Sequence, residues 1–183
     1  MKIATPNSVQ SLYPADQDTK QDESHVSSTS KARGKFSTEE EYRAHCSCCG
    51  SYQWFALDHY SFREGYNCPK CKASMRYRAQ AEAIIRCFRS DPSTNSLMQL
   101  SKEPEFASRS VFEPGIAGPF RKYFRSMKNY QQSFYWEDVE LGGSRGGVRC
   151  ESLEQLSYKN ETFDLVISSD ILEHVRKPML AFA

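Results

Sequence analysis

Two pairs of cysteines constrain this chain more than any other feature of its sequence. Cys46-Ser47-Cys48-Cys49 is followed, after eighteen intervening residues that begin with Gly50, by Cys68-Pro69-Lys70-Cys71. Two Cys-x-x-Cys turns at this separation can set four thiolates tetrahedrally around one Zn²⁺ at about 2.3 Å each. The spacing gives Cys46, Cys49, Cys68 and Cys71 as the ligands, with Cys48 competing with Cys46 and with His45 close by. Four thiolates leave no open coordination position for water, so such a centre is structural rather than catalytic. Gly50 stands where a tight turn needs a permissive backbone. Tyr52, Trp54, Phe55, Tyr60, Phe62 and Tyr66 are expected to form the small apolar shell of a zinc ribbon over residues 39–72.

The remaining cysteines fit the same chemistry. The first residues, Met1-Lys2-Ile3-Ala4-Thr5-Pro6, lack the apolar centre of a secretory leader, and no apolar run is long enough to span a bilayer. A cytoplasmic protein without membrane attachment is therefore expected, with its seven cysteines acting as ligands and free thiols rather than as a disulfide frame. Cys87 reads as a buried thiol. The net charge of +1 gives no global basic field, so nucleic-acid binding through the ribbon gains no support from charge.

Residues 1–38 are poor in large apolar side chains and rich in Ser, Thr, Gln, Asp and Lys, the composition of a disordered tail. Ser37-Thr38-Glu39-Glu40-Glu41 has the form of a helix start. After the ribbon, residues 73–89 read as a helix with Tyr77, Ala81, Ile84, Ile85 and Phe88 on one stripe. Arg76, Arg78, Arg86 and Arg89 fall mostly elsewhere. Arg76 and Arg78 either bind phosphate or RNA, or form a solvated face, or cover the ribbon. The polar stretch up to Ser108 completes a connector over 73–109 that includes one short helix.

From Ser110 onward, apolar segments alternate with helical ones, the pattern of a doubly wound α/β sheet. Val111-Phe112-Glu113-Pro114-Gly115-Ile116-Ala117-Gly118 reads as a buried strand breaking into a glycine turn, with a helix from Pro119 to about Met127. Such a turn lets a backbone approach a ligand closely at Gly115 and Gly118, with the helix start adding its dipole. Residues 132–136 are a second strand ending at Glu137-Asp138, 141–147 a glycine-rich flexible loop, and 147–150 a third strand. Residues 163–169 are a fourth strand, apolar enough to lie inside a parallel sheet. A helix starting at Asp170 follows.

Three of these segments resemble the class I S-adenosylmethionine-dependent methyltransferases, close to the type 11 branch. They are Val111 to Gly118, Cys150-Glu151-Ser152-Leu153-Glu154-Gln155-Leu156, and Phe163-Asp164-Leu165-Val166-Ile167-Ser168-Ser169-Asp170-Ile171-Leu172-Glu173-His174-Val175. The resemblance implies a Rossmann-like sheet over 110–183, incomplete at about four strands, with S-adenosylmethionine as cofactor and an unidentified methyl acceptor. It implies that the backbone at Gly115 and Gly118 packs on the methionine part, with Glu113 nearby. An acid at the end of the second strand, Glu137 or Asp138, takes the ribose hydroxyls. Ser152 aligns with the adenine-contacting acid of the family, and Glu151 stands one place before it. Ser168, Ser169 and Asp170 line the acceptor side. Asp170 is read either there or as a helix N-cap, and His174 either as a general base or as a partly buried structural residue.

The sheet of such enzymes continues beyond a fourth strand. The sequence is thus expected to be the first portion of a longer protein or a truncated product, with weak cofactor binding and no turnover. Four strands would leave the fourth at an open apolar edge. Two other classes fit parts of the pattern: a ribbon that docks nucleic acid or protein beside a non-catalytic sheet, and an NAD- or nucleotide-sugar-binding enzyme. Glu113 before Gly115 and the presence of two glycines rather than three distinguish the loop from an NAD fingerprint.

Overall fold

The computed structural model describes residues 41–182, so the expected tail over 1–38 and most of the helix start at Ser37 lie outside the described residues. Strands β1 (Tyr42–His45) and β2 (Tyr52–Phe55) pair antiparallel, with Arg43 opposite Trp54 and His45 opposite Tyr52. The two-residue period of a strand sends Phe55 inward and Tyr52 and Trp54 outward. Of the aromatics expected to form the shell, only Phe55 and Tyr66 are buried; Tyr52, Trp54, Tyr60 and Phe62 are exposed.

Arg78 occupies the interior that these aromatics leave. Its guanidinium lies 3.8 Å from the centre of the Phe55 ring and donates to the Tyr66 carbonyl at 3.1 Å and the Tyr42 hydroxyl at 2.6 Å. It is therefore neither a solvated side chain nor free to bind RNA. Arginine serves here because its planar cation stacks on a ring while its N–H groups find acceptors at the edge.

Helix α1 (Met75–Phe88) follows the sequence expectation, burying Ala81, Ile84 and Ile85. Cys87 falls on its outer side and is exposed, contrary to the buried thiol expected. The connector is more ordered than its polarity suggests. It forms two short helices, α2 (Leu97–Leu100) and α3 (Pro104–Ala107), and buries Leu97, Leu100 and Phe106. The Ser96 hydroxyl caps α2 by accepting from the Gln99 amide. The Leu97 amide donates to the Ser47 carbonyl at 2.8 Å, so the connector closes over the first cysteine turn.

The second sheet contains β3 (Val111–Pro114), β4 (Tyr130–Phe134), β5 (Ser144–Arg145), β6 (Val148–Cys150) and β7 (Leu165–Val166), in the spatial order β5-β6-β4-β3-β7. β3 pairs parallel with β4 and β7, and β4 pairs parallel with β6. All four residues of β3 are buried. Val111 joins the core that includes Ile84, Ile85, Phe106 and Phe124, while Phe112 stacks on Phe163 from the opposite face. The mixed α/β class is thus as read from the sequence, with a mostly parallel, Rossmann-like sheet.

Several boundaries differ from expectation. β4 begins two residues earlier, because Tyr130 is drawn in by its hydroxyl contact with Glu113. The glycine-rich loop at 141–147 is not irregular throughout: β5 makes a hairpin with β6. Gly146 and Gly147 turn it with φ of 58° and 79°, the paired left-handed conformation of a two-residue hairpin loop. It adds a fifth, antiparallel strand. β7 is two residues long and ends the described sheet rather than lying inside it, with Val166 exposed. Helix α4 (Arg121–Phe124) is a single turn, too short for the dipole expected of it, and a 3₁₀ turn at Leu172–His174 replaces the helix expected from Asp170. Asp170 has a φ of +51°, so it is not an N-cap.

Candidate metal centre and cofactor cleft

The four ligand candidates converge. The sulfurs of Cys46, Cys49, Cys68 and Cys71 all lie within 4.8 Å of one another, with Cys46 to Cys71 at 3.7 Å and Cys49 to Cys68 at 3.8 Å. A tetrahedron of Zn–S bonds of about 2.3 Å requires sulfurs about 3.8 Å apart, so the donor set fits the ion. Each pair sits on a tight turn. The Gly50 amide donates to the Cys46 carbonyl at 2.7 Å, and the Lys72 amide to the Cys68 carbonyl at 2.8 Å. Gly50 and Lys72 both take positive φ, at 73° and 62°, but only the first is marked by a glycine. The Cys48 thiol donates toward the Tyr77 carbonyl, and the His45 ring faces the Gly50 carbonyl. The sulfurs that gather into one group are those of Cys46, Cys49, Cys68 and Cys71.

Two of the four thiols, those of Cys46 and Cys71, hold their protons more tightly than usual. The Cys71 thiol is pushed up to about 12, chiefly by its hydrogen bond with Cys46 and then by burial. Bound metal reverses this, because a thiolate beside a divalent ion is stabilised. Groups outside the ligand set also touch it. The Ser51 hydroxyl lies 3.0 Å from the Cys49 sulfur, and the Lys122 ammonium donates to the Cys71 carbonyl at 2.8 Å. The Tyr123 phenol is pushed up by burial and then by the neighbouring Cys71 sulfur. Lys122 and Tyr123 belong to α4, so the metal centre abuts the element that follows the glycine turn.

A cleft of about 720 Å³ opens at the carboxyl ends of β3, β4 and β6. Strand order reverses at β3, and the crevice outside such a switch point is where open α/β sheets take ligands. Of the sequence candidates, Gly115, Glu137, Glu151, Ser152 and His174 line this cleft. Glu113, Gly118, Asp138, Ser168 and Asp170 do not. Phe134, Tyr135, Glu154, Ile171 and Arg176 line it as well, brought there by the sheet and by the segments that follow its strands.

The glycine turn is built on Glu113. This carboxylate is 2% exposed and accepts from the Phe120 amide at 3.3 Å and the Tyr130 hydroxyl at 2.5 Å. Burial pushes its proton affinity up, and the two hydrogen bonds pull it partly back. A Cβ at Gly118 would overlap the Glu113 carboxylate, which explains glycine there. Gly115 has a φ of 94°, a conformation other residues rarely adopt. Its carbonyl accepts from the Gln132 amide group at 2.9 Å, and its amide donates to the Ser133 carbonyl.

The acids in and beside the cleft differ in how fully they are engaged. Glu151 has a completely buried side chain that accepts from Arg149 at 2.5 Å and from the Ser157 amide and hydroxyl. Asp138 is exposed and paired with Arg145 at 2.6 Å, whose hydrogen bond holds its carboxyl below the usual range. Glu137 makes no hydrogen bond or ion pair among the described residues. The Ser152 hydroxyl accepts from the Glu154 amide at 3.2 Å. The Ser168 hydroxyl is shut off from solvent without a partner among the described residues. Ser169 bonds Gln80 and Asp170 faces Arg63 and Arg76, so both point to α1 and the ribbon. His174 is exposed at the cleft edge, not the partly buried structural residue expected.

A family model described as methyltransferase domain matches residues 125–183, about a third of the chain. That span contains β4, β5, β6 and β7 and nearly all of the cleft. The C-terminal part of this chain is similar to that family's domain. The match starts after the glycine turn, but β3 lies hydrogen-bonded between β4 and β7 and is part of the same sheet. No curated protein and no solved structure matches the chain significantly. Among the described residues, no helix is long and apolar enough to cross a membrane.

Proposed function

We propose that the chain binds S-adenosylmethionine in the cleft beyond β3, β4 and β6 and takes part in methyl transfer to an acceptor. The observation that carries this reading is the family match over residues 125–183, falling on a parallel sheet with a cleft at its switch point. Under this reading, residues 110–183 form the methyltransferase-like part, residues 39–72 a structural zinc ribbon on Cys46, Cys49, Cys68 and Cys71, and 73–109 the connection between them. Free thiols at all seven cysteines suit a reducing compartment, so a cytoplasmic location is part of the proposal.

The residues of the cleft take distinct roles. Gly115 presents backbone where a Cβ would obstruct the methionine part. Glu137 accepts the two ribose hydroxyls, a bidentate task suited to a free carboxylate; Asp138 would first have to leave Arg145. Ser152 contacts the adenine edge, and Glu151 braces that strand end through Arg149 and Ser157. Glu113 and Gly118 shape the turn from beneath. S-adenosylmethionine supplies an already activated methyl group, so the protein's task is in-line positioning and exclusion of water. His174, exposed at the cleft edge, can take a proton from a weakly acidic acceptor, and Ser168 and Asp170 stand on the same strand end.

A second reading has one specific observation behind it. Arg43 stacks over Tyr52 at 4.8 Å and Trp54 at 5.6 Å on the outer face of the ribbon, the kind of cation and ring platform on which single-stranded nucleic acid stacks. Against it, Arg76 and Arg78 are engaged within the protein. Calorimetric titration of the zinc-loaded chain with S-adenosylhomocysteine, NADH and an oligonucleotide separates the readings. Saturable binding of S-adenosylhomocysteine is expected. Binding of NADH or of the oligonucleotide alone would overturn the proposal.

A further inference from the structure

The far wall of the cleft has little internal structure. Ile171, His174, Val175 and Arg176 line it, yet the segment is held by a single 3₁₀ turn, with the His174 amide donating to Ile171 and the Val175 amide to Leu172. Bonds of this kind fix the shape of a turn but not where the turn sits. Its placement matters, because the Ile171 side chain closes on the glycine turn, 3.4 Å from where a Cβ on Gly115 would lie.

Both ends of the segment are tied to other elements. At the C-terminal end the Lys177 amide donates to the Glu154 carboxylate at 2.9 Å. At the other end Asp170, in a left-handed conformation, turns its carboxylate to Arg76 of α1 and to Arg63 of the ribbon at 3.6 Å. The Arg76 side chain is 13% exposed, stacks over the Tyr77 ring at 4.4 Å and meets Glu64 at 3.1 Å along its other edge. A guanidinium so far withdrawn from water is stabilised by anionic partners, and Glu64 and Asp170 are the two it has among the described residues. Next to Asp170, the Ser169 hydroxyl donates to Gln80 of α1 at 2.9 Å.

We propose that Arg76, assisted by Arg63, is a positioning residue for the cofactor cleft. Through Asp170 it holds the wall formed by Ile171 and His174 against the glycine turn, so the ribbon and α1 are part of the architecture of the binding site. The inference rests on the reading of this cleft as the S-adenosylmethionine site. It assigns Asp170 a bracing role in place of a catalytic one.

The test uses the full zinc-loaded chain carrying Arg76→Gln, Asp170→Asn or both, with zinc content, hydrogen exchange of the 171–176 amides and S-adenosylhomocysteine affinity as readouts. Each single variant is expected to keep its zinc, to exchange about tenfold faster over 171–176, and to bind S-adenosylhomocysteine about tenfold more weakly. The double variant should be no worse than the weaker single, since both remove one interaction. Unchanged exchange over 171–176 in Asp170→Asn, or additive losses in the double variant, would overturn the proposal. If Arg76→Gln loses zinc or fails to fold, Asp170→Asn and Arg63→Gln decide alone, as neither alters the buried guanidinium. Accelerated exchange in a protein that does not bind S-adenosylhomocysteine would uphold the brace and remove the cofactor reading.

Discussion

The ribbon and the cleft are organised in opposite ways. In the ribbon, four donors lie in two short turns, and local backbone hydrogen bonds aim each pair before the halves meet. In the cleft, residues from the ends of β3, β4 and β6 and from the segment after β7 are assembled by strand register and by side-chain ties such as Asp170 to Arg76, on strands of two to five residues. The first arrangement is determined by neighbours in sequence and by a metal; the second depends on packing across the whole sheet. Metal loss should therefore act on the ribbon abruptly, whereas single substitutions around the cleft should act in graded steps.

The largest effect is expected from removing the metal, since a structural Zn²⁺ contributes about 10–16 kcal/mol of apparent binding energy to small zinc domains. Chelation, or Cys49→Ser or Cys68→Ser, should abolish zinc retention by elemental analysis and remove cooperative thermal unfolding. Cys48→Ser should keep a full complement of zinc; its loss there, with retention in Cys46→Ser, would reverse the ligand assignment. Next comes Gly118→Ala, which pushes a methyl group into the Glu113 carboxylate. Overpacking of this kind costs about 1–3 kcal/mol, visible as a lower denaturant midpoint, and S-adenosylhomocysteine binding should be lost with it.

Glu137→Ala is expected to weaken S-adenosylhomocysteine binding about tenfold or more by calorimetry, as a lost charge-assisted hydrogen bond does. Asp138→Ala should leave the affinity unchanged, and the reverse result would exchange their roles. Glu113→Gln sharpens the comparison through pH. Burial raises the Glu113 pKa above its unfolded value of about 4.3, so its contribution is fully present below that pH and is lost as pH rises through the folded value. The glutamine variant should therefore gain stability relative to the parent between pH 4 and neutrality, measured as the difference in denaturant midpoints. The smallest effect belongs to Trp54→Ala on the outer face of the ribbon, expected to change stability by no more than about 0.5 kcal/mol.

How far each region could be read from sequence follows from the same contrast. The four ligands were legible because Cys-x-x-Cys fixes a turn and Gly50 marks its left-handed residue. The left-handed Lys72 was not, since lysine carries no such mark. Helix α1 was legible from its stripe, but Arg78 was left open between a binding role, a solvated face and a cover for the ribbon. Its burial depends on Phe55, Tyr42 and Tyr66 arriving from other segments. The parallel, doubly wound character of the sheet followed from alternation and from resemblance. The hairpin at Ser144–Arg145 was hidden by glycines that suggested looseness and instead supply the turn. In the cleft, Glu137 and Asp138 were indistinguishable in sequence, because Arg145, which occupies one of them, comes from that hairpin. Asp170 lay in the most distinctive motif of the chain. Nothing local to it revealed Arg76, 94 positions earlier, as its partner.

Hydrogen exchange of the zinc-loaded chain, with and without saturating S-adenosylhomocysteine, tests the central claim most directly. Ligand-dependent protection is predicted at Gly115, across residues 134–137 and 151–154, and over 171–176, with the amides of β1 and β2 unchanged. Protection confined to β1 and β2, or no protection at the carboxyl ends of β3, β4 and β6, would contradict the assignment of this cleft to the cofactor.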